Sequence, residues 1–165
     1  MADNLKMVNK AIEEHHTIRG HVKLVGDSVS DLEALFTLQK ARPDWILSSP
    51  EALAEKQSEL QRTLSALDDG LKNHFSFEEK VFPPLFGELL MRALVLEHRG
   101  ISKQIDEAKS LVANAKLEGL SQKELLSRKS QIQRKVASIL QLVEEHAATE
   151  ESILKMLQKA LAAKG

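Results

Sequence analysis

The chain of 165 residues contains no cysteine and no tyrosine. Without thiols it can form no disulfide, no thiolate zinc site, no haem attachment through CxxCH and no cysteine-ligated iron–sulfur cluster, whatever its compartment. Any transition metal must therefore be held by nitrogen and oxygen atoms. Because tyrosine is absent, no tyrosyl radical can form in the chain.

Long apolar runs and an excess of charge of one sign are also lacking. No segment approaches the roughly 20 apolar residues that span a bilayer, and the amino terminus has no uninterrupted apolar stretch. The 23 basic and 24 acidic residues give a formal charge of −1, which favours neither nucleic acid nor a membrane as a partner. The sequence predicts a soluble, cytoplasmic protein in which residues 1–165 form a single domain.

Apolar residues recurring at steps of three and four predict four long helices. Their expected extents are about Asn4 to about Lys40, Pro50 to Pro83, after Pro84 to about Leu117, and from Ser121 onward. No strand-like alternation and no hairpin dipeptide competes with them. The predicted fold is therefore all-α, an antiparallel up-down-up-down four-helix bundle.

Local signals mark where two of these helices begin. Ser48 or Ser49 before Pro50 fits a capping serine followed by a proline in the first turn. Ser121 with Glu124 three residues later forms a capping-box pattern for the fourth helix. The connection around Trp45 is the only long loop expected, and Trp45 is interpreted as a lid or packing residue.

The most informative motif occurs twice, as His74-x-x-x-Glu78 in the second helix and His146-x-x-x-Glu150 in the fourth. Residues four apart lie one turn apart on the same helix face, so each motif directs an imidazole and a carboxylate to one point. One such motif alone is usually a surface pair. Both copies, however, occupy the apolar seams of their helices, which indicates a buried site.

Each of the other two helices adds one histidine to its seam. His98 continues the apolar step of the third helix, and the step through Ile12 in the first helix leads to His15, whereas His16 shares a face with polar residues. Buried carboxylates and imidazoles without partners are disfavoured, so this set needs a common explanation. The alternative to a metal is a buried hydrogen-bond network, which is costly when half satisfied.

A metal centre explains the set best. Four histidines and two glutamates match two ions, each held by imidazoles and both bridged by the glutamates, and these donors suit iron, manganese or zinc. The candidate ligands are His15, His74, Glu78, His98, His146 and Glu150. Four further carboxylates beside or near them are expected to be exposed helix charges: Glu79, Glu97, Asp106 and Glu151.

The ordered ligand set resembles the hemerythrin-like HHE cation-binding family. The resemblance rests on His15 followed by the segments HFSFEE, LEHRGI and EEHAATEE, and it spans nearly the whole chain. It implies a four-helix bundle with two non-haem iron ions bridged by the two glutamates. Members of the wider family carry dioxygen, sense oxygen or iron, or handle nitric oxide, peroxide and iron–sulfur repair.

One position departs from the oxygen-carrying members, which have a second histidine one turn after the first on the third helix. Here that residue is Ser102, so the chain resembles a four-histidine, two-glutamate branch with an open coordination position. The expected function is to bind or react with dioxygen, peroxide or nitric oxide at this position, as a sensor or as an oxidase or peroxidase. The sequence identifies no protein partner.

Two alternatives remain open. The phrase His16-Thr17-Ile18-Arg19-Gly20 resembles the one around the phosphate-accepting histidine of histidine phosphotransfer bundles, although that family does not explain the other seam histidines. The second alternative is an iron-binding sensor or storage module without turnover.

Overall fold

Four helices make up nearly all of the chain that the computed structural model describes, which comprises residues 2–41, 50–117 and 119–163. They are α1 (Ala2–Ala41), α2 (Pro50–Val81), α3 (Pro83–Asn114) and α4 (Gln122–Ala162). Consecutive helices pack together and α1 closes the arrangement against α4. The predicted four-helix bundle is confirmed, and the described residues include no strand.

None of the helices in these described ranges has an apolar stretch long enough to cross a membrane. The expected cap at Ser48 or Ser49 and the loop around Trp45 lie outside the described residues.

The junction between α2 and α3 is tighter than the sequence predicted. Pro83 and Pro84 are the first residues of α3 rather than a gap before it, because a helix leaves its first N–H groups unpaired and a proline there loses nothing. Gly87 then kinks the helix with φ 74° and ψ 170°. This positive φ is a conformation that glycine adopts without the steric cost that a Cβ would add.

The predicted capping box at the start of α4 is confirmed. The Ser121 hydroxyl accepts from the Glu124 N–H at 3.3 Å, and the Glu124 carboxylate accepts from the Ser121 N–H at 2.8 Å. Both bonds satisfy N–H groups that have no partner within the helix, which fixes where α4 begins.

The apolar core forms two clusters, one on each side of the seam histidines. Leu60, Leu64 and Ile139 belong to the larger cluster, whereas Phe82 and Leu154 belong to the smaller one. Each fully buried leucine contributes roughly 1.5–3 kcal/mol, so packing on both sides holds the four helices in register. The polar seam positions between the clusters are thereby fixed and shielded from water.

Candidate metal centre

Six polar side chains from the four helices meet between the two apolar clusters. Their exposed fractions are only 0% to 6%. They are His15 of α1, His74 and Glu78 of α2, His98 of α3, and His146 and Glu150 of α4. The structure therefore brings together all six candidate ligands, and His16 lies exposed outside them.

The six residues form two overlapping groups of four. One group holds His15 and His74, the other holds His98 and His146, and both share Glu78 and Glu150. Within each group, one nitrogen or oxygen from every residue lies within 4.8 Å of the others. The arrangement thus has two positions at which an ion would meet two imidazoles, with two carboxylates between them.

Glu78 faces both positions. Its Oε1 lies 2.6 Å from Nε2 of His74, and its Oε2 lies 3.3 Å from Nε2 of His98. Glu150 plays the corresponding part on α4, where Oε2 lies 3.1 Å from Nε2 of His146 and 3.8 Å from Nε2 of His15.

The spacing and the unpaired atoms both fit a metal. The Nε2 atoms of His15 and His74 are 2.9 Å apart, and two nitrogens each about 2.1 Å from one ion lie about 3 Å apart when they meet it at a right angle. Among the described residues, both oxygens of each shared glutamate and the Nε2 atoms of His98 and His146 are buried without a hydrogen-bond partner. Leaving such atoms unpaired is costly, and metal coordination would satisfy them.

The comparison with known protein families agrees with this donor set. The model of the hemerythrin HHE cation-binding domain matches residues 7–157. The chain belongs to this family. No significant match was found among curated proteins or among solved structures.

Membership in the hemerythrin HHE family confirms the resemblance drawn from the ordered motifs, and it assigns the chain to cation-binding domains. The match spans all four helices, so it contains every one of the six candidate ligands.

The two shared glutamates, Glu78 and Glu150, are buried next to each other, and this determines their protonation. Burial, together with the neighbouring Glu150, raises the pKa of Glu78 far above its usual range. Burial also disfavours ionised Glu150, but His146 and Glu78 beside it outweigh this and lower its pKa. The metal-free pair therefore holds one proton, because two adjacent buried carboxylates cannot both ionise.

Three of the four histidines are kept neutral by the same apolar surroundings. Burial lowers the pKa of His15 to about 4 and also lowers the pKa of His74 and His98. Burial would do the same for His146, but the Glu150 and Glu97 carboxylates beside its two ring nitrogens raise its pKa. Neutral imidazole is the form that binds a metal.

A ring of outer carboxylates surrounds the six candidate ligands. This ring was not predicted from the sequence. On the α2 and α3 side, Glu14 of α1 lies 2.9 Å from Nδ1 of His74, and Glu79 of α2 lies 2.9 Å from Nδ1 of His98. Each such contact runs from one helix to the next around the bundle.

Two more contacts complete the ring. Glu97 of α3 lies 2.8 Å from Nδ1 of His146, and Glu151 of α4 lies 3.5 Å from Nδ1 of His15. Arg19 forms ion pairs with Glu151 and Glu144. A carboxylate on Nδ1 fixes the imidazole tautomer and directs Nε2 towards a metal.

These contacts correct the expectation that Glu79, Glu97 and Glu151 are only exposed helix charges. Glu79 and Glu97 are indeed 40% and 56% exposed, yet each touches a candidate ligand. Asp106 is exposed as expected, and its nearest cation is Lys72 at 4.0 Å.

Phe75 forms an apolar wall against the site. Its ring stacks on that of His98 with centroids 3.8 Å apart and meets that of His146 edge-on at 5.5 Å. An aromatic wall at this place would keep water from the imidazoles and so affect the properties of a metal held there. Phe77, by contrast, packs against Phe82, which stacks on Phe86.

Proposed function

We propose that His15, His74, His98 and His146 hold two iron ions that Glu78 and Glu150 bridge. The observation that best supports this proposal is that Glu78 and Glu150 belong to both groups of four candidate ligands. Manganese and zinc suit the same nitrogen and oxygen donors. Iron is favoured by the membership of the chain in the hemerythrin HHE family.

The proposed role is to bind or react with a small oxidant, which is dioxygen, peroxide or nitric oxide. When bound, a pair of redox-active ions would supply the electrons and the coordination position that such a molecule needs. Ser102 supports an open position, because its side chain is short and lies one turn from His98 on α3. The chain would act as a sensor or as an oxidase or peroxidase.

The protein's own residues have three tasks in this function. The outer carboxylates orient the imidazoles through Nδ1, as Glu97 does for His146. The two apolar clusters and Phe75 keep bulk water from the centre. Glu78 holds a proton in the metal-free state and must release it before both of its oxygens can serve as anionic ligands.

The phosphotransfer alternative is supported by the exposed position of His16. Against it, Arg19 pairs with Glu144 and Glu151 rather than standing free for a phosphate. This alternative also gives no role to the buried donors. Retention of phosphate from a phosphorylated response regulator, lost in His16→Ala, would favour phosphotransfer over the metal centre.

Metal analysis combined with absorption spectroscopy tests the proposal. Protein from iron-supplied cells is kept anaerobic, analysed by mass spectrometry for metals, and then exposed to air, peroxide or nitric oxide. About two irons per chain and a changed absorption spectrum are expected. Less than one iron or manganese per chain after anaerobic reconstitution would contradict it.

The last alternative is a storage or sensing module without turnover. A further measurement on the same samples distinguishes it from an oxidase or peroxidase. Steady consumption of peroxide or dioxygen over many equivalents would indicate an enzyme. A single stoichiometric reaction would indicate a sensor or a store.

A further inference from the structure

We propose that two copies of the chain pair through the outer face of α3, with the two α3 helices side by side and parallel. The occupant of this face is a second copy of the chain rather than another protein. The pairing does not depend on the proposed function, because the face lies on the side of α3 opposite to the buried His98 and requires no metal.

The outer face of α3 carries a row of apolar residues that the described part of the chain leaves uncovered. Leu89 is 82% exposed and Leu96 is 67% exposed, and Ala93 and Gly100 are exposed as well. A Cβ added at Gly100 would meet no atom of the described residues within 4 Å. Single exposed leucines are common on protein surfaces, but a continuous row of apolar residues marks an interaction site.

This row has the spacing of a two-stranded coiled coil. The steps from Leu89 to Ala93, from there to Leu96 and on to Gly100 are four, three and four residues. They are the steps between alternating d and a positions of a heptad, with both leucines at d. The buried seam of α3, which includes His98, lies on the opposite face. One bundle requires only one apolar face of a helix, so the second face of α3 is available to a partner.

The charges beside the row identify the partner. Arg92 and Arg99 occupy the g positions on one flank, whereas Glu97 and Gln104 occupy the e positions on the other. In a parallel pair, a g residue lies next to the e residue of the following heptad in the other helix. Arg92 of each copy would therefore meet Glu97 of the other copy. Arg99 would meet the neutral Gln104, so no like charges would be opposed.

The same charges disfavour an antiparallel pair. Antiparallel helices bring like flanks together, so that g positions face g positions and e positions face e positions. The flank that carries Arg92 and Arg99 would then face itself, and the flank with Glu97 would do so as well. Like charges brought together in an interface are strongly unfavourable. The parallel arrangement is therefore selected by charge as well as by the apolar row.

Both members of the proposed ion pair are available for it. Among the described residues, Arg92 has no carboxylate at ion-pair distance and Glu97 has no lysine or arginine. Glu97 contacts His146 through Oε2, and its side chain is 56% exposed. Glu151, by contrast, pairs with Arg19 of its own chain. Arg92 of a second copy would give Glu97 the cation that its own chain does not provide.

Sedimentation velocity over a range of protein concentrations tests the pairing. The row spans only about two heptads, so the dimer should be weak and in exchange with the monomer. Leu89→Ala combined with Leu96→Ala should weaken association about ten-fold or more. The matched control is Leu24→Ala combined with Leu38→Ala, which truncates two exposed leucines of α1 and should leave association unchanged. A wild-type protein that is monomeric up to about 1 mM, or equal weakening by both double variants, would overturn the pairing.

Introduced thiols test the direction of the two helices, because the chain has no cysteine of its own. In a parallel pair, equivalent d residues face each other closely enough for a disulfide. Leu89→Cys and Leu96→Cys, oxidised separately, should therefore each form a covalent dimer, whereas Leu24→Cys should remain monomeric. In an antiparallel pair, the two positions would face each other, and only a mixture of the two variants would cross-link. Cross-linking in the mixture alone would overturn the parallel arrangement.

Exchanging charges tests whether Arg92 and Glu97 of two copies meet. Arg92→Glu should weaken association about three-fold or more at low salt, because it places a carboxylate opposite Glu97, and added salt should reduce the loss. Combining it with Glu97→Arg should restore association, because the pair is rebuilt with its signs exchanged. Arg62→Glu, which replaces an exposed cation of α2, should have no effect. Circular dichroism establishes that each variant is folded, and a folded double variant that associates no better than Arg92→Glu alone would overturn the proposed contact.

Discussion

The carboxylate of Glu97 on α3 lies 2.8 Å from Nδ1 of His146 on α4, and Glu14 and Glu79 stand in the same way behind His74 and His98. Glu151 of α4 faces Nδ1 of His15 at 3.5 Å, too far for a hydrogen bond. Every candidate histidine therefore has a carboxylate behind it while its Nε2 faces the shared glutamates. The ring gives each helix a part in orienting the ligand of its neighbour. Metal affinity should accordingly depend on residues that would not themselves touch the metal.

Glu97→Gln is expected to weaken metal binding by 10- to 100-fold, the usual effect of losing a carboxylate that supports a metal-bound histidine. The control is Glu145→Gln, which removes an exposed carboxylate of α4 that directly precedes His146 in the chain. Competition with a chelator of known affinity measures both. Equal affinities in the two variants would show that the contact with His146 does not orient a ligand.

The adjacent His15 and His16 form a matched pair for mutagenesis. His15 is buried, and its Nε2 meets that of His74, whereas His16 is exposed on the same turn. His15→Ala should lower the metal content to about one ion per chain or less and lower the melting temperature, because metal binding and folding are coupled. His16→Ala should change neither quantity, and loss of metal in it would contradict the assignment.

The choice between these two histidines could be made from sequence because the apolar spacing of α1 is strict. Val8, Ala11, Ile18 and Val25 are all buried on the face that also carries His15. The helical period of 3.6 residues places His16 about 100° away from that face. The same period located the other seam donors, and it needs no knowledge of how the helices are arranged.

The carboxylate ring could not be predicted in this way. A residue beside a seam position points to the flank of its helix, and whether it reaches a neighbour depends on the distance and rotation between helices. A signal was nevertheless present, since Glu14 and Glu97 precede a ligand in α1 and α3, while Glu79 and Glu151 follow one in α2 and α4. Because α1 and α3 run opposite to α2 and α4, a residue before the ligand in one pair of helices and a residue after it in the other pair point the same way around the bundle.

Two local features also could not be predicted from the sequence. The kink at Gly87 depends on a backbone conformation that periodicity does not encode, although glycine permits it. Asp68 is buried next to the leucine seam of α2, and ion pairs from Lys72 and Lys109 compensate its charge. One of these lysines lies on α3, so the pairing depends on tertiary structure.

Metal binding should release protons. At pH 7 the raised pKa of Glu78 keeps the carboxyl protonated, while the lowered pKa values of His15, His74 and His98 keep these imidazoles neutral. Coordination requires the ionised carboxylate, so about one proton or more should leave per chain, and affinity should rise with pH.

Isothermal titration calorimetry in buffers of different ionisation enthalpy measures this release. The apparent enthalpy of metal binding should vary linearly with the ionisation enthalpy of the buffer. His16→Ala should give the same slope as the wild type, since His16 is exposed outside the donor set. A slope of zero would mean that Glu78 is already ionised before the metal binds.

Asp68→Asn should destabilise the metal-free bundle by about 1–3 kcal/mol, because it removes the charge that pairs with Lys72 and Lys109. Burial opposes ionisation of Asp68, but the two lysines outweigh it and lower its pKa. A carboxyl whose folded pKa is depressed contributes its stability above the unfolded pKa of about 4 and loses it as pH falls further.

The difference in unfolding free energy between the wild type and Asp68→Asn should therefore be constant near neutral pH and shrink below about pH 4. Urea unfolding of the metal-free proteins across this range measures it. Asp69→Asn, at the exposed neighbouring position, should stay within about 0.5 kcal/mol of the wild type. A difference for Asp68→Asn that grew with acid would contradict the role of the ionised carboxylate.

Anomalous diffraction at the iron absorption edge, from crystals of the anaerobically reconstituted protein, tests the two-ion centre most directly. Two anomalous peaks are expected, one between His15 and His74 and the other between His98 and His146, with Glu78 and Glu150 contacting both. A single peak, or iron bound away from these six side chains, would contradict the assignment.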